Sequence, residues 1–344
     1  MTDRTHRFAT MLIAAATLSM AVHAIASEAE LSKQILKQDG WVSYEVPIVA
    51  NAGTPCCYEM HDARVTHLGC DLDGRTWTTG TVDNAPAHSD GTLALYLHVR
   101  NAQIDKAHAF GASCPVRGAE QVRRIDAVSG ADSVALLAQA IARDEKFGDI
   151  ADAELAALAL HEDATATTAL SKLSDTSHPR KLREQALFWS GQLRGTSGAQ
   201  LVERIAVTDA DPKMRAHAVF VLTESSGIDG YTSIHRIAQT DTSDYVREQA
   251  LFWMAQTGDA RAKNDIVAAI DKERSDEVRE QAVFALSQLK DHEADAALIE
   301  LVRGTYPRKV KEQALFWLGQ SGSDEALKFL DDVLTTRVRS SHDS

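Results

Sequence analysis

The sequence lacks an excess of basic residues. Its 344 residues include 36 Lys and Arg against 49 Asp and Glu, which gives a formal net charge of −13. Nucleic-acid binding depends on clustered Lys and Arg that neutralise phosphates, and attachment to an anionic membrane surface depends on the same residues. The charge balance therefore disfavours both kinds of partner, and we expect no nucleic-acid ligand.

Long apolar runs are also missing. The longest, from Phe8 to Val22, is shorter than the roughly 18 to 20 residues that a membrane-spanning helix needs. Arg4 and Arg7 precede this run, and an A-x-A sequence ending at Ala26 follows it. These three features are typical of a secretory signal peptide, with an uncleaved anchor or a buried helix as the alternative. We predict a signal peptide over residues 1–26, a mature chain without a membrane span, and export, with the periplasm as the expected compartment.

Cysteine is scarce and occurs only at Cys56, Cys57, Cys70 and Cys114. An even number in an exported protein indicates structural disulfides. A bond between the neighbours Cys56 and Cys57 would need a strained ring. Two pairings remain: Cys57–Cys70 with Cys56–Cys114, or Cys56–Cys70 with Cys57–Cys114. Redox or metal chemistry and free thiols are the alternatives, although the C-x-x-C motif and the paired zinc knuckles are both absent.

Catalytic motifs are missing from the whole sequence. It contains no G-x-S-x-G elbow, no phosphate-binding Walker loop, no G-x-G-x-x-G and no H-E-x-x-H. We therefore predict no catalytic residues, no metal and no cofactor. An enzyme or redox accessory factor, with its chemistry in the cysteine-containing segment, is the alternative function.

Strand-like segments are present between about residues 40 and 124. They are rich in β-branched and aromatic residues, turn residues separate them, and they cover 41–49, 76–82, 92–99 and 103–110. Strands this close together imply antiparallel pairing, because parallel crossovers need more chain. We predict a small antiparallel β domain, stapled by disulfides, within residues 27–130.

From residue 182 onward the sequence repeats every 32 residues. The segment 182–192, LREQALFWSGQ, returns at Met214, Val246, Val278 and Val310, the last time as VKEQALFWLGQ. A fixed period of about 20 to 50 residues is typical of solenoid proteins. Each copy predicts one helix, which we call the signature helix, followed by a second amphipathic helix. A weaker unit covers 150–181 and another helix 132–143, so we predict an α-solenoid of helical hairpins over residues 131–340.

Glycines and arginines recur in register with the signature helix. Four glycines follow it and predict its end, namely Gly195, Gly227, Gly258 and Gly322. A basic residue takes the second position of every copy, as in Arg215 and Arg247. We predict that these arginines pair with acidic residues between the helices.

One copy of the signature helix carries a family pattern. The segment 275–287, SDEVREQAVFALS, closely resembles the HEAT-repeat pattern D-x-x-V-R-x-x-A-x-x-A-L-G, and the resemblance covers about residues 150–340. The sequence departs from the pattern where Trp replaces the usual small residue, at Trp189, Trp253 and Trp317. The resemblance implies a right-handed α-solenoid that binds proteins or scaffolds assemblies. The chain also resembles the HEAT-like repeats of phycobilin lyases, which are enzymes, and secreted bacterial HEAT-repeat proteins.

The signature helix has two contrasting faces. With its first Val, Leu or Met as position one, positions one, five and nine share one side, whereas the Glu, Gln and Phe at three, four, seven and eleven lie opposite. The resemblance implies that this helix lines the concave surface, so we predict a groove for a protein or peptide partner. Its Glu residues favour a ligand with some positive charge. Packing of the Phe residues between repeats, or their inheritance by duplication without function, are the alternatives. The predicted groove residues are Glu184, Gln185, Phe188, Gln192, Phe220, Glu248, Gln249, Phe252, Trp253, Gln256, Glu280, Gln281, Phe284, Gln288, Glu312, Gln313, Phe316 and Gln320.

Overall fold

The computed structural model of the protein describes residues 29–342 except 51, 54, 62–63, 74–77, 81–90, 145 and 291–292. The predicted signal peptide, residues 1–26, lies outside the described residues. The chain divides into two compact units, one ending at Leu193 and the other beginning at Arg194. Within the described ranges, no helix combines the length and the apolar composition needed to span a bilayer.

The first unit contains several short β-sheets. Their strands are β1 (Gly40–Pro47), β2 (Cys56–His61), β3 (Arg64–Leu68), β4 (Cys70–Asp71), β5 (Thr78–Gly80), β6 (Thr92–Arg100), β7 (Gln103–Gly111), β8 (Val116–Arg117) and β9 (Arg123–Arg124). The largest sheet has the order β7-β6-β1-β9, in which β6 pairs antiparallel with β1 and β7. β2 pairs antiparallel with β3 and β5. The predicted antiparallel pairing is confirmed for the long strands, and the two-residue strands add parallel pairs between β1 and β9 and between β4 and β8.

Two disulfide bonds hold the small sheets together. Cys56 bonds to Cys114 and Cys57 bonds to Cys70, which is the first of the two predicted pairings. Cys56 and Cys57 are neighbours on β2, and successive side chains of a strand point to opposite faces, so each reaches a different partner. The four cysteines are buried and pack against Phe110.

Helices cover the largest sheet within the same unit. They occupy 29–36 (α1), Gly130–Arg143 (α2), Asp149–Ala159 (α3), Ala164–Leu173 (α4) and Arg180–Leu193 (α5). A single apolar core joins Val42 and Leu95 of the sheet to Leu137 and Leu155 of the helices. The predicted boundary between a β domain at 27–130 and a solenoid at 131–340 therefore falls inside one compact unit. The physical reason is that the sheet has an apolar face which these helices bury.

All regular secondary structure in the described part of the second unit is helical. Its helices are Gly195–Thr208 (α6), Pro212–Glu224 (α7), Gly230–Thr240 (α8), Asp244–Gln256 (α9), Ala262–Lys272 (α10), Asp276–Ser287 (α11), Asp295–Arg303 (α12), Arg308–Ser321 (α13) and Asp324–His342 (α14). The signature helices α7, α9, α11 and α13 pack on one another in that order. Each is preceded by a second helix that packs on it, whereas neighbouring second helices touch each other little. The predicted helical solenoid is confirmed for this unit.

The glycines that follow the signature helices all have a left-handed backbone. The φ angles are 50° at Gly195, 87° at Gly227, 71° at Gly258 and 70° at Gly322. At Gly227 a Cβ atom would lie only 2.7 Å from the hydroxyl oxygen of Thr196. Conformation and space therefore both require glycine there, and the predicted interruption of the chain is confirmed.

Candidate functional site

The signature helices of the second unit bury the face that their sequence predicts. The side chains at positions one, five and nine are at most 1% exposed in α7, α9, α11 and α13. On the opposite face, Phe220, Phe252 and Phe284 are half-buried and Phe316 is 54% exposed. The apolar side of the helix therefore packs into the solenoid, while a second set of large apolar side chains stays partly accessible.

The rings on this second face form a continuous chain, which we call the aromatic row. Phe252 is central: its ring meets Trp253 edge-on with centroids 5.1 Å apart, and it stacks on Phe284 at 6.0 Å with 8° between the planes. The row extends in one direction through Trp253 to Phe220, with centroids 4.8 Å apart. In the other direction Phe284 contacts Trp317 at 5.2 Å, and Trp317 contacts Phe316 at 4.9 Å. The row thus consists of Phe220, Trp253, Phe252, Phe284, Trp317 and Phe316.

The eighth position of the signature helix decides how the row is joined. It holds Trp253 in α9 and Trp317 in α13, and in both cases the Phe of the preceding signature helix packs on that Trp. In α11 the eighth residue is Ala285, and the smaller side chain lets Phe252 stack directly on Phe284. Phe220, Phe252 and Phe284 therefore each pack on a ring of the next signature helix and still remain partly exposed.

In the second unit, two of the three predicted glutamates form an ion pair with a basic side chain. Glu280 lies 3.1 Å from the Lys309 ammonium, and Glu312 accepts a hydrogen bond of 2.6 Å from Arg308. Burial, together with the negative charges of Asp244 and Glu277, raises the pKa of Glu248 above its usual range. The positive charge of Arg247 acts in the opposite direction but more weakly, so a cationic group brought to Glu248 would meet a mainly acidic environment.

The other predicted groove residues divide between the two units. The four residues of the first copy, Glu184, Gln185, Phe188 and Gln192, lie half-buried on α5 of the first unit. In the second unit the glutamines lie beside the aromatic row: Gln249, Gln288 and Gln313 are half-buried, and Gln256, Gln281 and Gln320 are exposed.

Two of the arginines at the second position, Arg215 and Arg247, pair with acids between the helices, as the sequence predicts. Arg215 donates two hydrogen bonds of 2.8 Å to the Asp241 carboxylate and a third to the carbonyl of Asp209. Arg247 makes the same pattern with the Glu273 carboxylate, at 3.0 and 3.2 Å. Burial alone would raise the pKa of Asp241, but the hydrogen bonds from Arg215 hold it below its usual range. These bidentate pairs fix the repeats relative to one another within the second unit.

A cavity of about 420 Å³ opens at the end of the aromatic row. Trp317, Gln288 and Gln320 line it, together with the buried Asp295. The Asp295 carboxylate accepts hydrogen bonds from the hydroxyls of Ser321 and Ser323. The indole nitrogen of Trp317 is buried and has no hydrogen-bond partner among the described residues. The cavity therefore places the unpartnered indole N–H of Trp317 near the side-chain amides of Gln288 and Gln320 and near the carboxylate of Asp295.

The cysteines, where the sequence allows metal or redox chemistry, are all oxidised. The sulfur atoms of Cys56, Cys70 and Cys114 lie within 4.8 Å of one another, and they are the only group of three or more potential ligands found among the described residues. Every one of them is bonded in a disulfide, however, and metal binding or nucleophilic attack requires a thiolate. In this state the four cysteines form two crosslinks that tie β2 to Cys70 and Cys114.

Sequence reasoning missed a buried serine–histidine pair in the first unit. Ser133 and His161 are fully buried and 2.8 Å apart, between Oγ and Nε2. The Nδ1 atom of His161 lies 2.8 Å from the carbonyl of Ala157 and so carries the proton, which leaves Nε2 to accept from Ser133. The Tyr44 hydroxyl completes the chain at 2.9 Å from Ser133. With all three side chains buried, these hydrogen bonds link β1, α2 and the segment that follows α3.

The stacked helical hairpins of the second unit define an α-solenoid scaffold. A family model described as HEAT repeats matches residues 232–319, from within α8 to within α13. Residues 232–319 therefore carry HEAT repeats. No curated protein matches the sequence. Among solved structures, human deoxyhypusine hydroxylase in complex with glycerol is similar at 15% sequence identity and a TM-score of 0.30, over 55% of this chain and 84% of that one. A similarity at this level carries no information on the activity of the present chain.

Proposed function

We propose that this protein is a secreted, non-enzymatic scaffold that binds a protein or peptide partner through the aromatic row. The observation that carries the proposal is the row itself, which joins rings from four helices and ends at Phe316, 54% exposed. Contiguous, partly exposed aromatic side chains are typical of binding surfaces, because a few such anchors supply most of the energy of an interface.

The groups beside the row suit a peptide ligand. Amide side chains such as Gln249 and Gln281 donate to and accept from a peptide backbone without selecting its sequence. The buried indole N–H of Trp317 gains a hydrogen bond if a ligand carbonyl enters the neighbouring cavity, and a buried donor left without one costs about 1 to 3 kcal/mol. The row would thus supply apolar contact and its flanks would supply backbone recognition.

The packing of the second unit supports a concave binding face. Its signature helices contact one another closely, whereas its second helices touch little. In a curved stack the helices on the inner side are the more closely spaced, which favours an inner position for the row. HEAT-repeat arrays commonly mediate protein interactions.

Charge favours a basic partner. The chain carries a formal net charge of −13, and Glu248 lies beside Phe252 among other acidic side chains. Acidic surfaces attract basic partners and repel acidic ones, so we expect binding to weaken as salt is added. The disulfides add support for an oxidising compartment, and together with the segment 1–26 they favour a partner that is also exported.

The test compares capture of exported proteins by three forms of the chain. We expect the wild type to retain a defined partner and the double variant F284A/F316A to lose it. Val207→Ala is the matched control, since Val207 is 45% exposed on α6 and lies outside the row. Unchanged capture by the folded double variant, or equal loss with V207A, would refute the proposal.

The alternative function, chemistry at the cysteines, makes a different prediction. It requires at least one reactive thiol, whereas the scaffold requires none. Peptide mapping of the exported protein under non-reducing conditions should find Cys56–Cys114 and Cys57–Cys70 and no alkylated cysteine. Thiols in a substantial fraction of the molecules would favour the redox function instead.

A further inference from the structure

A second cavity lies within the first unit. Its volume is about 310 Å³, and it lies between α1, the turn from β6 to β7, the end of α2 and the start of α3. Leu36, Ile104 and Leu136 provide apolar walls, whereas Gln139, Arg143 and Glu154 provide polar ones. Small-molecule sites have volumes from about 300 to 1,000 Å³ and the same mixture of apolar walls with a few polar groups.

Glu154 is the unusual member of this lining. It is only 3% exposed, and it makes no hydrogen bond with any described residue. Its position explains the burial, since Ala151, Leu155 and Leu158 of α3 form the apolar stripe in which Glu154 lies. A carboxyl group taken out of water without a partner is costly, and buried polar groups are almost always hydrogen-bonded. A ligand that donates to this carboxylate would remove that cost.

None of the described charged groups around Glu154 forms an ion pair with it. The nearby Asp144 is negative, and its two carboxylate oxygens already accept hydrogen bonds from the backbone N–H groups of Lys146 and Gly148. Arg143 donates to the side chain of Gln139 at 2.8 Å. Tyr44 is a neutral phenol with a pKa raised by its own burial. Burial and, secondarily, Asp144 raise the pKa of Glu154 to about 7.

We propose that this cavity binds a small organic ammonium ion, whose N–H groups donate to the carboxylate of Glu154 while its apolar part lies against Leu36, Ile104 and Leu136. The apolar walls and the single available carboxylate favour an amine over a hard metal ion, which needs several oxygen ligands. The ammonium group supplies the hydrogen bonds and the positive charge that Glu154 lacks. The site is separate from the aromatic row and does not depend on its function.

The test uses hexylammonium chloride as the probe, measured by titration calorimetry on the full chain at pH 8. Hexanol and hexanoate have the same apolar chain with a neutral or a negative head group. We expect saturable binding of hexylammonium, with affinities for hexanol and hexanoate lower by about tenfold or more, since a hydrogen bond to a charged group is worth that much. Binding of the amine should weaken from pH 8 to pH 5.5, because the carboxylate becomes protonated.

Two variants decide whether Glu154 is responsible. Glu154→Gln keeps the shape of the side chain and should weaken hexylammonium binding about tenfold or more while leaving hexanol binding unchanged. Glu120→Gln, at an exposed position outside the cavity, is the control and should bind like the wild type. Ile150→Trp fills the mouth of the cavity from a position that is 38% exposed, and should weaken binding of all three probes. Absence of saturable binding to the wild type, equal binding by E154Q, or equal affinity for hexanol would each overturn the proposal.

Discussion

Arg215 and Arg279 occupy the same position of the repeat but differ in what they hold. Arg215 reaches an acid 26 residues further along the chain, Asp241, and their side chains are 11% and 7% exposed. The residue 26 positions after Arg279 is Thr305, which is not an acid. Arg279 therefore donates to the carbonyls of Ile270 and Glu273 and to Asp276, whose side chain is 62% exposed. The same residue type thus makes a buried ion pair in one repeat and an exposed one in another.

This difference predicts that replacing the two arginines lowers the free energy of unfolding by unequal amounts. Arg215→Met should lower the free energy of unfolding by about 3 to 5 kcal/mol, because it leaves the Asp241 carboxylate buried without its partner. Arg279→Met should cost clearly less, since water solvates Asp276 when the arginine is removed. Urea denaturation of the two variants measures both values. Equal losses would show that the carbonyl contacts, and not the buried acid, dominate.

Glu154 predicts that stability changes with pH in the opposite direction to the change expected from ion-paired acids such as Asp241. Its pKa is about 7 in the folded protein and lower, near the usual 4.5, in the unfolded chain. The folded state therefore holds the proton more tightly, so the contribution of this group to stability is greatest below pH 4.5 and is lost as the pH rises to about 7. Glu154→Gln should raise stability at pH 8, by at most about 3 kcal/mol, and leave it little changed at pH 4.5. A variant that is destabilised at pH 8 would contradict the assigned burial.

At the scale of helices, the aromatic row predicts that substitutions of its phenylalanines lower stability by different amounts, according to how far each ring is buried. Phe252 contacts two rings and is half-buried, so Phe252→Ala should cost about 1 to 2 kcal/mol, less than the roughly 3 to 5 of a fully buried Phe. Phe316 is 54% exposed and contacts Trp317, so Phe316→Ala should cost less than about 1 kcal/mol. Denaturation curves of the two variants give both numbers. A larger loss for F316A than for F252A would mean that Phe316 is covered in solution.

The helices and long strands were predictable because their signals are local. The 32-residue period, the glycines after the signature helices and the β-branched runs of β1 and β6 each lie within a short window of sequence. The strand β2 was missed, because its sequence CCYEMH lacks a β-branched residue. Glu154 was also missed, although an acid at i+3 from Ala151 and i−4 from Leu158 interrupts an apolar stripe and could have been noticed.

At the scale of the whole molecule, the division into units was not predictable from local patterns. The change from strands to helices near residue 131 indicates a domain boundary, yet the first compact unit ends at residue 193 and the second begins at residue 194. The reason is the core that Val42 and Leu95 share with Leu137, Leu155 and Ala186, which are far apart in sequence. Alternation and helical periodicity show that a face is apolar, but they do not show which other face covers it.

This division predicts that the disulfides stabilise one unit alone. The bonds close loops with sequence separations of 58 and 13 residues, both within the first unit. In the chain-entropy description, opening even the shorter loop costs about 3 kcal/mol. Reduction and alkylation should therefore lower hydrogen-exchange protection in residues 29–193 and leave residues 194–342 unchanged. The control is protein treated with the alkylating agent without reduction. An equal loss in both ranges would show that the units unfold together.

Tryptophan occupies the eighth position of every second signature helix, at Trp189, Trp253 and Trp317, with Val221 and Ala285 between them. The aromatic contacts of the second unit depend on this alternation, since a Phe packs on a Trp in one step and on a Phe in the next. Gain or loss of two successive repeats would preserve the order of contacts, whereas gain of a single repeat would place two bulky or two small residues in adjacent helices. The internal duplication that keeps this surface intact is therefore that of a block of four helices.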